Sequence, residues 1–257
     1  MAIKTVIVTF LLTWFIWGCI IVSNQFGYLN DGTPFNMVFF ILGALAPAIV
    51  SIAFILKNKI MPAKQLFRTI FAIKQPFTSY LLVASFMVLF VAVGVLSGAL
   101  TLFSPVYLLM FPVMIIVGGL EEVCWRFILQ PPLEKAFSFV IAASIIAVVW
   151  AVWHLPLFFI EGRMQYNWSF GLYAILLLGL GFLIAAIYRL TKSVWPCVLF
   201  HALVNTMFED ASFIIRLGSF SDDFVPIVIT SSVLMVASCL TVRFVKNIQK
   251  HRTIRHL

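Results

Sequence analysis

The sequence predicts an all-α polytopic membrane protein of about eight transmembrane helices, with both termini in the cytoplasm. Three observations carry this. Of 257 residues, 63% are hydrophobic and only 10% are charged, whereas about a quarter of a soluble domain is charged. The apolar residues fall in unbroken runs long enough to cross a hydrocarbon core about 30 Å thick. The basic residues collect in alternate loops, which is the bias of cytoplasmic membrane loops. No hydrophilic segment is large enough to fold apart, so residues 1–257 are read as a single integral membrane domain. The formal net charge of +8 would suggest nucleic acid in a soluble chain. Here it belongs to the loops, so the expected partner is the lipid bilayer and not nucleic acid.

Taken in order, residues 5–30 carry no charge and lack a small-residue cleavage site, so they form an uncleaved first span. Asn30-Asp31-Gly32-Thr33-Pro34 ends it, and residues 32–56 supply the second. Lys57, Lys59, Lys64, Arg68 and Lys74 mark a basic loop. Within it Leu66, Phe67, Ile70 and Phe71 recur at helical spacing, as in a helix lying along the bilayer interface. Residues 75–120 are charge-free for 46 positions, enough for two passes. Ser104-Pro105 divides them into a third span at 79–102 and a fourth from 106. The fifth covers 138–159, the sixth 168–188, the seventh 194–213 and the eighth 224–242. Eight spans put both ends on one side. Fourteen of the seventeen basic residues fall on that side, against Arg163 and Arg216 opposite, with Arg126 inside a span. Cys19, Cys124, Cys197 and Cys239 lie in apolar runs and read as reduced core residues.

Polar groups that lipid should exclude lie on three spans: Glu121, Glu122 and Arg126; His154; and His201 with Asn205. Glu122 and Arg126 are four apart and can pair, which leaves Glu121 for another partner. His201 and Asn205 share a helix face. Glu121 and His154 are equidistant from a turn near residue 137, so an antiparallel hairpin would bring them level, each roughly 25 Å from its apex. His201 is roughly 13 Å from its own basic loop by the same rise. These depths agree if the hairpin projects about 10 Å past the membrane, and they place the site in the cytoplasmic half, opening toward the cytoplasm. Carboxylate, imidazole and an imidazole–amide pair make a hydrolytic set. Glu121, with His154, could activate water, and His201 and Asn205 could stabilise an oxyanion. A Zn²⁺ site on Glu121, His154 and His201 is the competing chemistry. No tight zinc-motif spacing supports it, so no metal or other cofactor is favoured. Glu209 and Asp210 read as solvated interface residues.

The three motifs EEVCWR at 121–126, WAVWHLP at 150–156 and FHALVN at 200–205 together resemble the CPBP family of intramembrane proteases. That family comprises type II CAAX prenyl endopeptidases and bacteriocin-processing or bacteriocin-immunity proteins. The resemblance covers about 115–210. It implies an intramembrane endopeptidase of the cell membrane in which Glu121 and His154 activate the water. His201 and Asn205 would stabilise the oxyanion, and Glu122 and Arg126 complete the motif. Many relatives carry glycine where Phe127 stands, a departure that bears on local packing. The implied substrate is a peptide precursor or membrane-protein segment, lipidated in the best-known cases. The rival is a non-catalytic immunity or transport protein whose polar cluster binds a partner or ion.

Overall fold

The computed structural model describes residues 1–28, 30–101, 104–208 and 217–254, with side chains in the last helix as far as Ile248. Glu209, Asp210 and Arg216 lie outside the described residues. The helices are α1 (Ala2–Gln25), α2 (Pro34–Lys57), α3 (Ala63–Ile70), α4 (Phe77–Ser97), α5 (Phe111–Val117), α6 (Gln130–Ala136), α7 (Phe139–Trp153), α8 (Phe170–Thr191), α9 (Trp195–Phe208) and α10 (Phe220–Ile254). No strand is present among the described residues. Among the described residues, seven helical stretches are long and apolar enough to cross a membrane, the fourth running from Pro105 to Ala136. The expected seventh span is the exception: its described helix, α9, is only 14 residues, about 21 Å long.

The core is built around α8, which buries residues from Leu172 to Ile187 between α7, α9 and α10. Small residues permit this closeness: Gly179 abuts Ser231 of α10, and Gly181 abuts Ala147 of α7. On α1 the buried face is Thr5, Thr9, Thr13, Trp17 and Ile20, spaced at three or four residues as one helical stripe requires. Polar side chains of this stripe tie α1 inward. Thr13 donates to the Gly43 carbonyl at 3.0 Å and accepts from Trp153 Nε1 at 3.0 Å. Trp17 Nε1 donates to the Phe40 carbonyl at 3.1 Å. In hydrocarbon such bonds act as glue between helices. The short α3 is amphipathic, as its spacing predicts: Leu66 and Ile70 are buried while Phe67 faces out.

The loops sort onto two ends. At one, Arg163 pairs with Asp31 at 3.5 Å and donates to Asn36 at 2.6 Å, while Ser169 N–H donates to the Leu217 carbonyl at 2.6 Å. At the other, the basic end, Arg189 pairs with Glu134 at 3.1 Å, Gln130 donates to the Ala185 carbonyl at 2.9 Å, and Phe71 packs on Trp195. This division matches the alternation of spans inferred from charge.

Span four departs from the single helix expected. Pro105–Met110 is a 3-10 turn, α5 ends at Gly118, Gly119–Glu121 is a second 3-10 turn, and Val123–Leu129 winds as a π-helix before α6. A π segment is rare and concentrates at functional sites. The cause of the break is close approach. A Cβ at Gly118 would fall on the Asn205 amide nitrogen, and one at Gly119 would lie 2.8 Å from the Val198 carbonyl oxygen. Only glycine lets this strand of backbone touch α9.

Candidate active site

The interrupted span presents Glu121 and Glu122 on adjacent turns, both buried, at 4% and 0% exposure. Their surroundings differ. Glu122 accepts from Arg126 Nε at 2.8 Å, four residues on, and meets His201 Nδ1 at 2.7 Å through its other oxygen. The pairing of Glu122 with Arg126 expected from the sequence is present, and it extends across to α9. Arg126 is fully buried, and neither of its terminal nitrogens has a partner among the described residues. Such a cluster is costly to assemble and costlier to break, because removing one partner strands a buried charge.

Glu121 is held otherwise. Its Oε2 accepts from Trp150 Nε1 at 2.9 Å and from Trp125 Nε1 at 3.3 Å. Both indoles address one oxygen, which leaves the other available to water. Trp150 also ties Glu121 to both histidines. Its backbone carbonyl meets His154 Nδ1 at 2.8 Å, its ring lies 5.5 Å from that of His154, and it lies 5.1 Å from that of His201. His154 is the residue just past the end of α7 and is wedged by edge-on contacts with Trp153 and Tyr173.

Hydrogen-bond inventory fixes the tautomers. A carbonyl only accepts, so His154 Nδ1 carries the proton and Nε2 keeps its lone pair in the neutral ring. An ionised carboxylate likewise only accepts, so His201 Nδ1 carries a proton toward Glu122. His201 Nε2 lies on the Gly118 side together with the Asn205 amide, which forms no hydrogen bond among the described residues. Glu121, His154 and Asn205 line one cavity of about 260 Å³, together with Trp17, Phe40 and Tyr173.

All six residues singled out from the sequence therefore come together. Among the described residues no three His, Cys, Asp or Glu side chains form a group that could hold a metal ion. Sequence reasoning missed Trp150, Trp125, Gly118 and Gly119. Trp150 lies four residues before His154, hence on the same face, which was the available signal.

Apart from Glu121, at the middle of the Pro105–Ala136 stretch, the residues lining the cavity lie toward the helix ends away from the basic loops, or in the 163–165 loop. Counting along ideal helices does not reach this arrangement, because span four is not one helix and α9 is short enough to put Asn205 near its far end. His154, at the far end of α7, fixes the same half.

Residues 102–207 match a family model described as type II CAAX prenyl endopeptidase Rce1-like, a stretch that contains all six site residues. A relative along most of the chain is CAAX prenyl protease 2 of Methanococcus maripaludis. It is 23% identical over 224 residues, covering 77% of this chain and 80% of that protein. The resemblance carried by the three motifs thus extends beyond the motif region. It supports a membrane protease with a peptide or protein substrate.

Proposed function

We propose that this chain, similar in its central segment to the type II CAAX prenyl endopeptidases, is an intramembrane endopeptidase of the glutamate-activated-water type. The observation that carries this reading is the division of labour between the two carboxylates. Glu122 is consumed by Arg126 and His201, whereas Glu121 keeps an oxygen for water and shares a cavity with His154 and Asn205.

In this mechanism a water sits between Glu121 and His154 Nε2, both able to accept its protons, and attacks the scissile carbonyl. The carbonyl oxygen becomes an oxyanion, which Asn205 and His201 stabilise. His201 donates through Nε2 as an imidazolium, whose charge Glu122 offsets through Nδ1. The proton taken up at the Glu121–His154 pair passes to the departing amine. Trp150 and Trp125 position Glu121 and hold it off its neighbours. Arg126 and Glu122 position His201. The substrate is a peptide precursor or a membrane-protein segment, and no cofactor is required. A partner- or ion-binding role without catalysis has no feature of the site in its favour.

The test is a proteomic comparison of cells carrying wild-type protein with cells carrying Glu121→Gln or His154→Ala. Uncleaved precursors are expected in both variants. If purified variants cleave the same precursor at the wild-type rate, catalysis by this set is wrong.

A further inference from the structure

We propose that the active site opens on the non-cytoplasmic side of the membrane, so that its substrate is a peptide segment presented from the exterior or the outer leaflet. The inference rests on the protease reading for what happens inside the cavity, but its geometry does not.

The cavity has a direction. From Glu121 and His154 it runs along Trp17 of α1 and Met37 and Phe40 of α2 to Arg163 and Gln165, the loop between α7 and α8. No lining residue comes from segments 58–76, 130–138 or 189–194, which meet at the opposite end. That opposite end carries the positive charge. Residues 57–74 hold five basic residues, Arg189 and Lys192 two more, and the tail from Arg243 a further five. The end at which the cavity opens has Arg163 and the acids Asp31 and Glu161, with Arg163 paired to Asp31. Lysine and arginine excess over short loops marks the cytoplasmic side. Cavity direction and charge direction are opposed, and the two observations are independent: one concerns side-chain packing, the other only sequence.

The consequence concerns substrate class. A lipidated C-terminus displayed in the cytoplasm would meet the closed end of this molecule. A secreted peptide, or the outer end of a membrane-spanning helix, would meet the open one. The walls suit such a chain: Trp17, Phe40, Trp153 and Tyr173 offer apolar surface for a segment leaving the bilayer.

The test uses full-length protein in intact cells and a membrane-impermeant maleimide, with wild type reporting its four native cysteines. Glu161→Cys and Gln165→Cys are expected to label in intact cells, and Lys64→Cys on α3 only after permeabilisation. A bulky maleimide on Gln165→Cys is expected to cut precursor processing at least fivefold, and the same reagent on Lys64→Cys in lysed cells to leave it unchanged. Labelling of Lys64→Cys in intact cells, whether alone or together with the other two, overturns the proposal. So does full processing by labelled Gln165→Cys. These failures are separable from failure of the protease reading, which is scored by Glu121→Gln alone. Loss of precursor accumulation in that variant would sink the enzyme while leaving the accessibility pattern standing.

Discussion

Trp150→Phe isolates one hydrogen bond. The benzyl ring keeps most of the indole's packing against His154 and His201, and the bond from His154 Nδ1 goes to the residue-150 carbonyl, which the substitution retains. What disappears is the 2.9 Å donor to Glu121 Oε2. The 3.3 Å bond from Trp125 remains, but it is longer and cannot fix the carboxylate alone. Loss of a buried hydrogen-bond donor costs about 1–2 kcal/mol. At about 1.4 kcal/mol per factor of ten this is about 5- to 30-fold in kcat/KM. The assay is cleavage of a precursor identified by the comparison above, in detergent or reconstituted vesicles, alongside the thermal unfolding midpoint. Trp125→Phe, losing the weaker bond, is expected to cost less. A Trp150→Phe protein with wild-type kcat/KM refutes the idea that this indole positions the water-activating carboxylate. A loss matched by collapse of the unfolding midpoint would make Trp150 a packing residue only.

Glu122→Ala leaves Arg126 as an unpaired buried charge, with an expected cost of about 3–5 kcal/mol; accumulation of folded protein in membranes should fall sharply. Glu122→Gln combined with Arg126→Met removes both charges and is expected to recover folding, though not activity, because His201 loses its carboxylate partner. Gly118→Ala drives a methyl into the Asn205 amide; the expected result is at least about a tenfold loss of kcat with little change in accumulation, read by cleavage rate and by membrane blotting. Treatment with a strong zinc chelator is expected to leave cleavage intact, and loss of activity that added Zn²⁺ restores would overturn the metal-free mechanism.

What was legible in the sequence follows from how strongly each residue type is constrained by lipid. A charged side chain in a span has few tolerable fates, so Glu121, Glu122, Arg126, His154 and His201 stand out without any structure. Charge asymmetry sorted the loops, and the ends they occupy agree with the contacts between Arg163 and Asp31 and between Arg189 and Glu134. Residues whose role depends on shape were not legible. Trp150 in an aromatic-rich chain looks like one more lipid-facing ring. Gly118 and Gly119 look like ordinary small residues, because nothing local says that α9 will press against them. Phe127 is half-buried and packs against two apolar clusters, that of Ile55, Leu66 and Ile70 and that of Val194, Trp195 and Val198.

Rise per residue converts sequence distance into depth only along one kind of helix. Between Pro105 and Ala136 the chain changes helical type four times, and a 3-10 turn advances about 2.0 Å per residue where an α-helix advances about 1.5 Å. The interruptions are not incidental to the site. An unbroken α-helix would place Glu121 and Glu122 about 100° apart with every backbone donor satisfied within the helix. It could not also let Gly118 and Gly119 sit against α9. The irregular winding brings one carboxylate to His201 and leaves the next facing the cavity, and non-helical backbone at membrane depth is tolerated where it is buried in protein or lines a cavity. The same break that defeats depth counting is what gives two neighbouring glutamates different environments, and a hydrolytic site needs that difference.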